Sequence, residues 1–429
     1  MIVLLAFFIL LLGGFPIFFT LMAATVLFIY QQDVFVLAES LPTQFYGALE
    51  LNGLLAIPMF MLVGEVMNKG GLTERLIAVA NMLVGRYKGG LAYVNLLTNA
   101  MAASILGSAI AQIAVMSRLM IPAMEKQGYP KPFAAAVTIS GGLLGAIVPP
   151  SMLMIIYGVI SYQPIAALFV AGVVPSLLIV LGFALTIVII GFFVDLPAGV
   201  TRDEGSTGNT WRLLGQGLLP GVVPLAVIAG IVSGATTPTE AGAVAALLSI
   251  IIGGVIYRDL KLSDIPSILI GVSRSTALIT SLIAAATVLG WALSFQAVPD
   301  MLADWVRKFS DSPLMFLMLV SLLIIALGIF LESVAVMIVL VPILLPAAMA
   351  LGVDPVHFGV VVALASLVGL VTPPVGPGLF VVMSLCHMNM GELFKAMLPF
   401  LAMMLAMMAL INAVPALSTW LPTALGMIS

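Results

Sequence analysis

Charge is scarce in this 429-residue sequence: Asp, Glu, Lys and Arg together make up 8% of it. A soluble domain carries about a quarter charged residues to dress its surface. A chain this poor in charge and 62% hydrophobic is not a water-soluble globule, and it leaves no room for a soluble catalytic domain. Cysteine is nearly missing as well. Cys386 stands alone, which excludes an internal disulfide, a thiolate metal cluster and a dithiol redox pair. Histidine is limited to His357 and His387, and His387 beside Cys386 has no further metal ligand near it in sequence. No paired Asp and no nucleophile–base pair is legible at membrane depth, so the chain reads as no enzyme. No basic stripe suggests nucleic acid.

What fills the chain instead is apolar sequence, in runs near or above the length that crosses a bilayer, such as Ile165–Val194, Leu218–Ser233 and Ala396–Val414. Met1–Tyr30 lacks a basic start and an A-x-A cleavage site, so it reads as retained helix, kinked or split at Gly13–Pro16 rather than as a signal peptide. The sequence also repeats itself. Leu119-Met-Ile-Pro122-Ala resembles Ile343-Leu-Leu-Pro346-Ala, and Gly145-Ala-Ile-Val-Pro149-Pro150 resembles Gly369-Leu-Val-Thr-Pro373-Pro374. Both pairs are offset by 224 positions with no gap between them, the mark of an internal structural repeat.

Basic residues collect on the cytoplasmic side of membrane proteins. Residues 66–90 carry Lys69, Arg75, Arg86 and Lys88, whereas their counterparts at 290–314 carry Asp300, Asp304 and Asp311 against Arg307 and Lys308. Lys126 and Lys131 likewise answer to Asp354 and His357. The repeats therefore read as inverted, a transporter signature with sites near the midplane. Asp33, Glu39 and Glu50 read as outside. The polar connector Asp195–Gln216, with Arg202, Arg212, Asp203 and Glu204, reads as cytoplasmic, as do Arg258, Lys261 and Arg274.

Each repeat is interrupted by tandem prolines. Proline has no N–H and its ring clashes with the preceding turn. Pro149 and Pro150 take the i+4 donors from the carbonyls of Gly145 and Ala146, and Pro373 and Pro374 take those of Gly369 and Leu370. Bare carbonyls in hydrocarbon persist only beside protein, water or a ligand. They suit hard cations, while the helix N-terminus beyond the break suits an anion. A simple buried kink is the alternative. Before each break, Tyr93–Lys126 and Leu314–Leu351 read as re-entrant hairpins turning near Ser104–Ser108 and Gly328–Ser333, or else as pairs of continuous spans. Glu332 is an acid at membrane depth, either an ion, proton or tuning site or a protonated, hydrogen-bonded group. Glu240 reads as a helix cap beside Pro238, and Asn95, Asn99 and Gln112 as a polar path or as helix-to-helix bonding.

Together these motifs resemble the large membrane subunit, the M subunit, of TRAP (tripartite ATP-independent periplasmic) transporters: Ile121-Pro-Ala-Met-Glu-Lys-Gln-Gly-Tyr129, Gly145-Ala-Ile-Val-Pro-Pro-Ser151, Thr237-Pro-Thr-Glu-Ala241 and Gly369-Leu-Val-Thr-Pro-Pro-Val-Gly376. The likeness covers almost the whole chain. It implies an all-α polytopic protein of the bacterial inner membrane, with two re-entrant hairpins, two broken helices and an elevator-type scaffold plus transport domain. The implied layout has scaffold helices and an arm over 1–90, a first repeat over 91–194, the connector at 195–216, scaffold and a second arm over 217–312, and a second repeat over 313–429. The implied activity is sodium-coupled uptake of a small organic acid, such as a C4-dicarboxylate or sialic acid. The implied partners are a small four-helix membrane subunit and a periplasmic substrate-binding protein, with Na+ as coupling ion and no organic cofactor. Carried over by motif, one sodium site falls on Gly328, Gly369, Thr372 and Val375, and the repeat offset pairs it with Ser104, Gly145, Val148 and Ser151. Substrate contacts are expected from Ser108, Gln112, Glu332 and Ser366, since no arginine stands at either break. The chain departs from the family at Leu106-Gly-Ser-Ala109, at Glu332 in place of Asp and at Ala365 in place of Asn. A stand-alone carboxylate symporter is the alternative; a channel would conduct without accumulation.

Overall fold

The computed structural model describes residues 2–197, 210–298, 301, 304 and 312–428, and no strand occurs among them. Five described helices are long and apolar enough to cross a membrane: Ile165–Phe193, Pro238–Ile256, Leu262–Phe295, Ser333–Ala350 and Met390–Ala413. The connector's Arg202, Asp203 and Glu204 lie outside the described residues, as do Asp300, Arg307, Lys308 and Asp311. Helix resumes at Thr210–Val232.

Both expected hairpins form. The first pairs Gly90–Leu106 with Ala109–Lys126 across a two-residue turn. Gly107 closes it with φ +63, a conformation that costs a side-chain-bearing residue, and the Ser108 hydroxyl accepts the N–H of Ala111. The second pairs Pro313–Gly328 with Ser333–Ala350, with Glu332 at the helix-capping position that Ser108 holds in the first. A broken span follows each hairpin. Lys131–Leu143 passes through the tight turn Leu144–Ala146 and restarts as Met152–Ser161, and Pro355–Leu370 restarts as Pro377–Cys386. Both proline pairs are joined by cis peptide bonds.

The repeat offset changes at the break. It is 224 at Ala109 and Ser333 and at Lys131 and Pro355, but 225 at Met152 and Pro377 and at Ile165 and Met390. One extra residue, in the Val375-Gly376 stretch, precedes the second half-helix. The structural partner of Ser151 is therefore Gly376, the residue that starts the second half-helix, and the pairing of Ser151 with Val375 is corrected accordingly.

Contacts at the ends of the broken spans give their directions. Tyr157, in the half-helix that ends the first span, donates its hydroxyl to the carbonyl of Pro355, where the second span begins. Cys386, at the end of the second span, lies within electrostatic reach of Lys131, at the start of the first. The two spans run antiparallel. The hairpin bases are opposed as well: the Gly89 N–H donates to the Pro197 carbonyl at 2.9 Å, whereas Gly352 and Val353 share a cavity with Asp354, His357, Pro415 and Thr423.

Ion pairs tie two of the basic residues to neighbouring segments. Lys88 meets Asp195 at 2.6 Å and holds its carboxyl below the usual carboxylate range. Arg75 meets Asp259 at 2.7 Å, with its guanidinium 3.8 Å from the Tyr257 ring centre. Between membrane helices there is little hydrophobic drive, so close packing of small residues matters most. A Cβ at Gly142 would come within 2.4 Å of Ile113 Cγ1, and one at Gly141 within 2.7 Å of Asn99 Cβ, so the first span fits its hairpin only with glycine there. Thr237 and Glu240 form a capping box at the start of Pro238–Ile250, the capping role read for Glu240. One break has no proline pair: Val36–Leu49 and Asn52–Lys69 meet at 48°.

The lone cysteine makes the opposed bases testable. In a Cys386→Ser background, a membrane-impermeant maleimide is expected to label Thr423→Cys and Lys88→Cys from opposite sides of the membrane. Labelling of both from one side in intact cells would contradict the arrangement.

Candidate transport site

The hairpin tips meet at a cavity of about 450 Å³. Three helices begin at its wall: Ala109–Lys126, Met152–Ser161 and Ser333–Ala350. The first-turn N–H groups of a helix have no acceptor within the helix, and its dipole leaves about half a positive charge there. Ser108 and Ser151 cap two of these ends through bonds of 3.5 Å to Ala111 and Met154, while Glu332 makes no side-chain cap. The opposite wall comes from Ala56–Lys69, through Gly64, Glu65 and Asn68, and from Ile265–Phe295, through Ser275 and Leu278. A Cβ at Gly64 would lie 3.3 Å from the Ile105 carbonyl, so this glycine seats the first tip against the wall. The cavity extends to Asn68, one residue from Lys69 and two from Gly70, which packs against Gly253 beside the Arg75–Asp259 pair.

The wall has one electrostatic peculiarity. Among the described residues its charged side chains are Glu65 and Glu332, and no Lys, Arg or His lines it. Anions can be held here by backbone N–H groups, helix ends and neutral donors such as Asn68, Ser108 and Ser275, while the two glutamates offer acceptors to donor groups or cations.

The breaks lie beside this cavity, through Ala146 and Leu370. No hydrogen bond reaches the carbonyls of Gly145 and Leu370 among the described residues. The other two expected bare carbonyls are satisfied: Ala146 accepts from Ser151 Oγ at 2.5 Å, and Gly369 accepts from the Thr372 N–H at 3.1 Å. Serine at the helix cap and an i+3 bond in the last turn replace the donors the prolines remove. Gly328 and Gly369 come together backbone to backbone, and Thr372 Oγ1 donates to the Val368 carbonyl at 2.6 Å. Val375 is exposed and Val148 is half-buried. Ser104 donates to the Met101 carbonyl at 2.8 Å, on the arm that packs against Leu144–Ala146.

Of the four expected substrate residues, Ser108 and Glu332 line the cavity. Gln112 and Ser366 are buried behind it, Gln112 bonded to Asn99 and Ser366 to the Val362 carbonyl. Sequence reasoning missed Glu65, Asn68 and Ser275. Glu65 carried a usable signal, an acid inside the apolar run Ala56–Met67, which is the signal that singled out Glu332.

A helical membrane permease with antiparallel broken spans around a central cavity is the class that this fold and site define. Residues 4–417 match the family described as "Tripartite ATP-independent periplasmic transporter, DctM component". The chain is 35% identical over 419 residues to the sialic acid TRAP transporter large permease protein SiaM of Vibrio cholerae, covering 96% of each. It is 37% identical over 392 residues to the C4-dicarboxylate TRAP transporter large permease protein DctM of Pseudomonas aeruginosa, covering 91% and 90%. It is 32% identical to the 2,3-diketo-L-gulonate large permease YiaN of Escherichia coli, covering 94% of each. In fold it is similar to the YdaH transporter of Alcanivorax borkumensis, with TM-score 0.65 and 15% identity over 89% of this chain and 88% of that one. The chain belongs to the large permease subunits of TRAP transporters and is a multi-pass protein of the bacterial inner membrane.

The close approach of Gly328 and Gly369 yields a mutational test. A Cβ at Gly369 would lie 2.8 Å from Gly328 Cα and 2.9 Å from the Ile325 carbonyl, and backbone cannot yield as a side chain would. Gly369→Ala is expected to cost about 1–3 kcal/mol, as overpacking does, and to lower the thermal unfolding midpoint in detergent. An unchanged midpoint would show that the contact is slack.

Proposed function

We propose that the chain is the permease subunit of a sodium-driven importer for a small organic acid. In this reading a periplasmic binding protein supplies the substrate and a small membrane subunit completes the scaffold. The observation that carries it is the convergence of three helix N-termini on one cavity with no cationic side chain among the described residues, flanked by breaks with carbonyls that lack donors. A carboxylate is held at the N-termini. Sodium, as the coupling substrate, fits the bare carbonyls of the breaks, because it replaces the hydrogen bonds that the prolines remove. Its charge also lowers the cost of carrying an anion across a low-dielectric core. The hairpins and broken spans move as one elevator against the wall formed by Ala56–Lys69 and Ile265–Phe295, exposing the cavity to each side in turn.

The decisive assay uses proteoliposomes holding both membrane subunits, with the binding protein outside. Uptake of the cognate acid is expected to require an inward sodium gradient and the binding protein. Accumulation without the binding protein would favour a stand-alone symporter, and conductance without accumulation a channel. Thr372→Ala removes a proposed sodium oxygen worth about 1 kcal/mol, so half-saturating sodium should rise about five-fold. An unchanged sodium requirement would remove Thr372 from the site.

The cavity's two acids bear on substrate choice. Glu332 repels a second carboxylate and accepts hydrogen bonds from hydroxyl or amine groups. Glu332→Gln is expected to improve competition by dicarboxylates relative to hydroxylated monocarboxylates, read as a shift in the ratio of their inhibition constants. An unchanged ratio would exclude Glu332 from substrate selection.

A further inference from the structure

We infer that the Gln112 side-chain oxygen is a ligand of the cation at the first break, so that the two breaks bind sodium unequally; this rests on the sodium reading proposed above. The first repeat contains a directed chain of buried polar groups. The Thr138 hydroxyl donates to the Ala134 carbonyl at 2.8 Å, so its oxygen is left to accept, and it takes the amide of Asn95 at 2.7 Å. Asn95 Oδ1 takes the amide of Asn99 at 2.8 Å, and Asn99 takes the amide of Gln112 on both its backbone and side-chain oxygens, at 2.7 and 3.0 Å. Every donor points the same way, and the first hydroxyl sets the direction. A flipped Gln112 amide would set its oxygen against two other oxygens, so the orientation is determined.

The chain ends on Gln112 Oε1. This atom is buried and receives no donor from the protein. It faces Gly145, where a Cβ would come within 2.5 Å of it and 3.2 Å of the Ser108 carbonyl oxygen. Gly145 is also the residue with a carbonyl that no hydrogen bond reaches. A buried acceptor held rigidly without a donor is unfavourable, and native proteins keep one where an ion or ligand completes it. The Ser108 carbonyl already accepts the Gln112 N–H at 3.0 Å, so Gln112 Oε1 and the Gly145 carbonyl are the acceptors at this glycine that lack a donor. Oxygens with no proton to share fit a cation rather than an anion or a hydrogen-bond acceptor.

The second repeat lacks this device. At the 224-residue offset, Gln112 and Thr138 answer to Val336 and Val362, both buried. The space beside its break glycine is filled by the backbone of Gly328. A hairpin and a broken span of this kind therefore pack with valine at those positions, and the polar chain is not a requirement of the repeat fold. It serves the first break alone.

The test is direct binding of radiolabelled sodium to the purified full chain in nanodiscs, together with the rise in thermal unfolding midpoint that sodium produces. Gln112→Val is expected to weaken one class of sodium sites about ten-fold, the loss of about one oxygen ligand, and to shrink the sodium-induced rise. Should Q112V fail to fold because it strands Asn99, the quadruple variant N95L/N99L/Q112V/T138V removes the whole polar chain and is expected to give the same weakening. Loss of stability without sodium, with the sodium-induced rise and affinity intact, would reduce Gln112 to a packing residue and overturn the assignment. Unchanged binding in both variants would overturn it as well. A parent chain that binds no sodium would instead overturn the sodium reading itself.

Discussion

Inside a bilayer no water is available to satisfy a backbone group, so every carbonyl needs a partner within the protein or a bound species. This constraint governs the molecule. Tandem prolines at 149–150 and 373–374 remove donors from the middle of two spans, and the protein answers each loss locally where it can. Ser151 returns a donor to Ala146, and the Thr372 N–H tightens the last turn onto Gly369. Gly145 and Leu370 are left over. Two breaks built from the same sequence motif thus leave bare oxygens at different places. Val375 and Gly376 offer no hydroxyl in the place of Ser151, and the Val148 N–H goes to the Leu144 carbonyl where the Thr372 N–H goes to that of Gly369.

The inversion turns these local events into a site. Because the broken spans are antiparallel, the breaks sit at a common depth between hairpins with bases at opposite ends. Helix starts and broken carbonyls then fall side by side, N–H groups toward the cavity and oxygens at its edge. A single hairpin and break would offer one dipole end. The pair brings several helix ends and broken carbonyls to one cavity, with no Lys or Arg lining it among the described residues. Glu65 and Asn68, on Ala56–Lys69, complete the cavity from the other side.

Much of this was legible in the sequence, for identifiable reasons. Proline and glycine act through the backbone, so Pro149, Pro373, Gly107 and the 224-residue offset survive as readable signals whatever packs around them. Charge asymmetry pointed to the inversion because Lys and Arg favour the cytoplasmic side, and the antiparallel broken spans agree with it. Side-chain direction was not legible. Gln112 and Ser366 are polar residues on apolar helices, and nothing in their spacing tells a cavity-facing residue from one bonded within the bundle. The break between Val36–Leu49 and Asn52–Lys69 was hidden because no proline pair marks it. The change of offset to 225 was hidden because the sequence motif ends at the prolines, before the extra residue.

The most direct test of the central claim, that bare carbonyls at the breaks are completed by ions, is a pair of high-resolution maps of the chain in lipid nanodiscs, one in sodium and one in choline. The account predicts density in contact with the Gly145 and Leu370 carbonyls in sodium that is lost in choline. Identical maps in which both carbonyls bond to protein donors or ordered water would contradict it.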